Sequence, residues 1–198
     1  MIIKSLQVGQ IGTNCYVIGD EATKEGAIID PGDEAERILR VVQEARLNIQ
    51  YILLTHGHFD HTTGIDGLLQ TLNNVPVYIH PAELKTEKKV FSSQVKYYDD
   101  GATLPLGGLT IEVLHTPGHS QGSVVLKAGN VLFTGDTLFR GSCGRTDLYG
   151  GSYPDILRSL KRLYNLPGDY RVYPGHEGFT TLEQERKQNY FMQEAIRN

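Results

Sequence analysis

The sequence predicts a layered α/β domain in which helices cover packed sheets, and three observations carry that expectation. Short apolar, β-branched runs recur along the chain between Gly, Asp and Pro signals. Helical periodicity appears between those runs in both halves. The chain has 198 residues, with no low-complexity linker and no short-period repeat, which suits a single domain with a sizeable core.

In chain order, Ile2-Ile3, Cys15 to Ile18 and Ala27 to Ile29 read as strands closed by turns. Asp33 opens a helical pattern in which Ala35, Ile38, Leu39 and Val42 share a face, and Asp33 with Glu36 forms a capping-box signature. The apolar run Tyr51 to Leu54 predicts a strand buried on both faces. Gly64 to Leu72 reads as a helix and Val75 to Ile79 as a strand. The polar stretch from Lys85 to Asp100, with Lys85, Glu87, Lys88 and Lys89, reads as a solvated face. Thr110 to Leu114, Ser123 to Leu126 and Val131 to Thr134 are further strands. A helix near Pro154 aligns Ile156, Leu160, Leu163 and Tyr164, and Arg171 to Tyr173 is a last strand. Thr181 and Gln184 mark the start of one C-terminal helix, about 181–195, after a motif-bearing core of about 1–178.

Hydrophobic residues make up 39% and charged residues 21%, the balance of a soluble globular chain. A net charge of −4 supplies no general attraction to nucleic acid. No apolar run approaches the ~20 residues of a membrane helix, and no export signal is visible, so a cytoplasmic location is expected. The two cysteines, Cys15 and Cys143, are too few for a disulfide framework. Cys15 reads as a small buried hydrophobe.

The chemistry concentrates after the strand-like runs. Thr55-His56-Gly57-His58-Phe59-Asp60-His61 places three imidazoles and a carboxylate within six positions, a density hard to satisfy inside a core. His56 and His58 flank Gly57, which allows a tight bend, so both can turn to one centre. Asp60 and His61 are offset from that pair, so one loop can serve two neighbouring metals. His119, Asp136 and His176 each stand in a Gly-containing turn: Pro117-Gly118-His119, Thr134-Gly135-Asp136 and Pro174-Gly175-His176. Imidazole and carboxylate together suit zinc, iron or manganese, and a carboxylate can bridge two cations. His80 and His115 read as packing or supporting residues.

This ordered set, His-x-His-x-Asp-His followed by Gly-His, Gly-Asp and Pro-Gly-His turns, resembles the metallo-β-lactamase superfamily. The resemblance runs from the N-terminal strands to about His176. It implies a four-layer αββα sandwich with two divalent metals at one edge of the sheets, zinc foremost, with iron or manganese as alternatives. His56, His58 and His119 would hold one metal, Asp60, His61 and His176 the second, and Asp136 would bridge them. Asp30, in Ile29-Asp30-Pro31-Gly32, matches a motif that is structural and near the site.

The stretch Leu138 to Asp147, with Ser142-Cys143-Gly144-Arg145, is similar to the glyoxalase II (hydroxyacylglutathione hydrolase) branch, here in a short form without the C-terminal helical domain. The likeness implies hydrolysis of a small-molecule thioester by a hydroxide held between two cations, with Asp60 orienting it and Arg145 contacting substrate. An ion pair between Arg145 and Asp147 is the alternative role for that arginine. Cys143 is expected to be structural, with no covalent nucleophile required. Persulfide dioxygenases, mononuclear iron oxidoreductases on this scaffold, share a Gly-Cys-Gly-Arg-Thr-Asp stretch and form the rival reading; another ester or lactone is a further option. No nucleic-acid or membrane partner is expected, and the oligomeric state is left open.

Overall fold

Alternation within strands sorts the apolar side chains of this computed structural model, which describes residues 1–85 and 95–197. In strand β2 (Thr13–Gly19), Cys15 and Val17 enter one core while Tyr16 and Ile18 enter another. The first sheet runs β1 (Ile2–Val8), β2, β3 (Glu25–Ile29), β4 (Asn48–Leu53), β5 (Val77–Ile79), β6 (Val95–Tyr97), each beside the next. It is antiparallel from β1 to β3 and parallel from β3 to β6. The second runs β7 (Thr103–Leu106), β8 (Leu109–His115), β9 (Val124–Ala128), β10 (Val131–Gly135), β11 (Arg171–Pro174), β12 (Thr180–Thr181). Only its β10–β11 pair is parallel.

Helix α1 (Ala35–Glu44), the single turn α2 (Phe59–Thr62) and helix α3 (Ile65–Thr71) follow one another on the first half. Ile38, Val42, Ile65 and Leu68 cover the outer face of the first sheet at Val17, Ile28 and Ile52. Between the sheets, Ile18, Ile29 and Leu53 meet Ile111, Val113, Leu126 and Phe133. Helices α4 (Tyr153–Tyr164), α5 (Leu182–Gln188) and α6 (Tyr190–Arg197) cover the far side, where Ile156, Leu160, Leu182 and Met192 pack on Val125, Leu132 and Val172. The result is the expected αββα order of layers. Among the described residues no helix is long and apolar enough to cross a membrane.

Local chemistry explains the helix ends. Ser152 caps α4 by accepting from the Asp155 N–H, with Pro154 in the first turn. The capping box expected at Asp33 and Glu36 does not form: Glu34 holds a left-handed conformation at the cap, and Asp33 instead accepts from the Glu34 N–H at 2.7 Å. The single C-terminal helix is two. Asn189, fully buried, leaves the helical path and its Oδ1 accepts from the Phe191 and Met192 N–H groups, starting α6 anew. Glu87, Lys88 and Lys89, expected on a solvated face, lie outside the described residues, as does the side chain of Lys85.

Strand direction then positions the site. Ile29 pairs with Leu53 in the parallel β3–β4 ladder, so Asp30 and the His56 loop emerge at the same edge. Gly135 pairs with Pro174 in the parallel β10–β11 ladder, which sets Asp136 and His176 side by side.

Candidate metal centre

The three ligand-bearing turns and the His56–His61 segment converge there. His58 Nδ1 and His119 Nε2 stand 2.8 Å apart, with the rings of His56 and His58 at 4.7 Å and those of His56 and His119 at 4.8 Å. Across Asp136, His176 Nε2 lies 3.2 Å from Asp60 Oδ2, and His61 Nε2 lies 3.5 Å from the same oxygen. Asp136 stands between the two sets: Oδ1 is 3.4 Å from His61 Nε2, and Oδ2 is 3.5 Å from His119 and 3.6 Å from His176. Ligand-type atoms lie within 4.8 Å of one another in His56/His58/His119, in His56/His61/Asp136 and in Asp60/His61/His176.

Three of the rings, His56, His61 and His119, each have a partner behind them. Thr55 donates to Asp30 Oδ2 at 2.6 Å, so its hydroxyl oxygen can accept from His56 Nδ1 at 3.2 Å. Asp30 Oδ2 also stands 3.1 Å from His61 Nδ1. His119 Nδ1 donates to the Arg145 carbonyl at 2.8 Å. These contacts leave His56 Nε2, His61 Nε2 and His119 Nε2 facing inward, the arrangement that outer-shell partners impose on ligating histidines.

Electrostatics sharpen the picture. Burial, then the neighbouring His61, His119 and His58, pushes the His56 imidazole well below its ordinary pKa. Burial also lowers His119. His61 goes the other way: burial opposes its charge, but Asp136 and Asp30 outweigh that and hold it well above the usual value. Burial works against Asp60 and Asp136 as anions, yet the surrounding imidazoles keep both below the usual carboxylate range. His56 Nε2, both ring nitrogens of His61 and Asp136 Oδ1 are buried without a hydrogen-bond partner among the described residues, Asp30 meeting His61 Nδ1 as an ion pair. Buried polar atoms left this way are costly, and divalent cations held by these nitrogens and carboxylates would satisfy them. The donor set therefore fits divalent metal.

A sequence model of the Metallo-beta-lactamase superfamily matches residues 8–176. The chain belongs to this superfamily. The metallo-beta-lactamase superfamily binds divalent metals and comprises hydrolases and related enzymes. The chain is 34% identical over 213 residues to hydroxyacylglutathione hydrolase GloC of Haemophilus influenzae, with 97% of this chain and 98% of the relative covered. It matches the crystal structure of TTHA1623 in a di-iron-bound form with TM-score 0.84 and 37% identity, covering 95% of this chain and 99% of that one. It matches ETHE1 from Myxococcus xanthus with TM-score 0.85 and 32% identity, covering 96% and 84%.

Several residues that brace this metallo-beta-lactamase-type site escaped the sequence reading. Thr13 donates to Asp60 Oδ2 at 3.0 Å. Asn14 and Tyr16 hold the turn that carries His176: Asn14 Nδ2 donates to the Pro174 and Glu177 carbonyls at 3.0 Å, and the Tyr16 hydroxyl donates to Pro174 at 2.5 Å. The only hint in sequence is that a polar Thr-Asn pair opens an otherwise apolar strand. Gly175 has a steric role, since a Cβ there would lie 2.3 Å from Asp136 Oδ1 and 2.7 Å from His61 Cε1. Gly57 works through its N–H, which donates to Glu83, and not through a left-handed backbone.

A cleft of about 750 Å³ opens over the site, walled by Ile11, Phe59, Phe139 and Leu148 beside His58, Asp60, His119 and His176. Arg145 reaches that wall, but its guanidinium is paired with Asp147 through two contacts of 2.7 Å. Arg140, exposed on the same wall, has no side-chain partner among the described residues. Cys143 lines the cleft with its thiol pushed up to about 12 by burial, and then by Glu194. His80 and His115 stand apart from the ligand groups, stacked at 4.1 Å and 8°, with His115 Nε2 on the Gln121 carbonyl.

Proposed function

We propose that the chain is a binuclear metal-dependent thioester hydrolase of the hydroxyacylglutathione hydrolase type, with zinc as the expected metal. The observation that carries this reading is the pair of ligand groups, His56/His58/His119 and Asp60/His61/His176, meeting at Asp136. The likeness to GloC over nearly the full length of both chains supports the substrate class. The di-iron-bound relative supports two filled positions and keeps iron beside zinc.

Bound cations would supply a hydroxide nucleophile at neutral pH by lowering the pKa of water toward ~7, together with Lewis-acid pull on the acyl oxygen. The chain's residues do the positioning. Asp60, held by Thr13, turns its acceptor oxygens toward the cleft and orients the nucleophile's proton. Ile11, Phe59 and Leu148 exclude water around the acyl–sulfur bond. Arg145 would exchange Asp147 for a carboxylate on the thiol carrier, with the unpaired Arg140 beside it. Neither cysteine is needed as a nucleophile, and a thiol with a raised pKa is a poor one.

The second reading is a persulfide dioxygenase-like mononuclear iron oxidoreductase, favoured by the Gly144-Arg145-Thr146-Asp147 stretch whose Arg145 carbonyl aims His119. Metal-quantified protein assayed on an S-acyl glutathione, a lactone and glutathione persulfide separates these. Two metals per chain with thioester cleavage is the expected result. One iron per chain with oxygen uptake on persulfide would overturn it.

A further inference from the structure

A buried glutamate outside the ligand set joins the two loops that form the all-imidazole group. Glu83 lies on the 3-10 turn Pro81–Lys85 after β5 and is 1% exposed. A buried carboxylate is costly unless donors meet it. Here Oε2 accepts from the Gly57 N–H at 2.8 Å, while Oε1 accepts from the Ser120 hydroxyl and the Gly122 N–H, both at 2.6 Å. Gly57 separates His56 from His58, and Ser120 directly follows His119. One side chain thus spans the His56–His58 loop and the His119 loop, which lie about sixty residues apart along the chain.

The surroundings are built for that contact. Ser120 Oγ lies 2.6 Å from Ser123 Oγ, which also accepts from the Ser120 N–H, so the hydroxyl that meets Glu83 is itself held. A Cβ at Gly122 would stand 2.7 Å from Glu83 Cγ, so glycine is what lets the carboxylate approach.

We propose that Glu83 is a positioning residue that sets the spacing of the His56–His58 and His119 loops, and thereby the metal affinity of the His56/His58/His119 group. The proposal rests on reading that group as a metal site. Three neutral imidazoles bring no charge to the metal, so their affinity depends on being held in place before it binds. Glutamine is the informative replacement. Its amide turns one of the two acceptor oxygens into a donor, which must face either the Gly57 N–H or the Ser120 and Gly122 donors. Shape is kept and one loop is released.

The test uses the full chain, stripped of metal and titrated with Zn²⁺ against a competing chelator, and separately with Co²⁺ followed by absorption. Wild type should take up two equivalents. Glu83→Gln should lose about 10- to 100-fold in affinity at one equivalent, with an altered Co²⁺ spectrum for that ion and the other equivalent unchanged. Glu83→Asp, which keeps the charge but not the reach, should resemble Glu83→Gln. Excess Zn²⁺ should restore thioester cleavage to Glu83→Gln. Two equivalents bound with wild-type affinity and spectrum would overturn the proposal, as would equal weakening of both sites alongside a lowered melting temperature. If Glu83→Gln fails to fold, Ser120→Ala removes one donor alone. A smaller loss confined to the same equivalent supports the proposal, and unchanged binding overturns it. A wild-type chain that takes up no metal would sink the metal-site reading as well.

Discussion

The two ligand groups on either side of Asp136 differ in charge and in openness. His56, His58 and His119 are all imidazoles, with His56 and His119 buried and only His58 half-buried. Asp60, His61 and His176 include a carboxylate, and the Asp60 and His176 side chains are 15% and 21% exposed. The first group is aimed by neutral partners, the Thr55 hydroxyl and the Arg145 carbonyl. The second is backed by the Asp30 carboxylate behind His61 and by Thr13 behind Asp60. The first set therefore depends on preorganisation and the second on charge. Both groups reach the cleft, the first through His58 and His119 and the second through Asp60 and His176.

That contrast can be broken at its centre. Asp136→Ala removes the carboxylate common to both sides, and should cost both metals and leave thioester cleavage below about a thousandth of wild type. Metal analysis and steady-state kinetics read both effects; retained binding of two ions would dissolve the idea of a shared centre. One-sided changes come next. His58→Ala and His176→Ala should each leave about one ion per chain. Raising the metal concentration should restore occupancy more readily in the His176→Ala protein, whose second group retains Asp60 and the Asp30-backed His61. Equal recovery in both proteins would erase the distinction.

Smaller effects should follow from the bracing groups and the wall. Asp30→Asn should weaken binding at the His61 side by about 10-fold, visible in chelator competition, because the amide cannot accept from both Thr55 donors and also face His61 Nδ1 as an anion. Arg140→Ala and Arg145→Ala should each raise KM for an S-acyl glutathione by about 10-fold with little change in kcat, the signature of lost uniform binding. A fall in kcat with KM unchanged would place them elsewhere. The smallest effect is expected of Cys143. Its raised pKa leaves little thiolate near pH ~8, so alkylation should be slower than for a free thiol; fast modification there would contradict its burial.

Much of the site was legible because its ligands announce themselves locally. Three histidines and an aspartate crowded into His56–His61 are hard to satisfy inside a core, and the Gly-His, Gly-Asp and Pro-Gly-His turns each follow a strand. The strands themselves were readable from alternation, as with Cys15 to Ile18. Other features left no local trace. Strands β6 and β7 are short and mixed in polarity, and Tyr98, whose hydroxyl meets the Leu54 carbonyl, sits in a stretch that reads as surface. The break at Asn189 is invisible in helical periodicity because it is made by distant partners. Asn189 Nδ2 donates to the Ser142 carbonyl and to Glu185, and Glu185 in turn accepts from the Gly141 N–H.

By itself, the amino-acid order determined which segments carry metal-type donor groups and which alternate as strands or helices, because both are patterns of neighbouring residues. The family followed from those patterns and from the 8–176 match. Only the tertiary structure decided how the groups are paired and braced. Parallel pairing of β3 with β4 and of β10 with β11 brings Asp30 to His61 and Asp136 to His176. Folding also buries Glu83 between two loops and locks Arg145 onto Asp147. The physical reason is range: propensity and periodicity act over a few residues, whereas a buried carboxylate finds its donors only after the chain has closed around it.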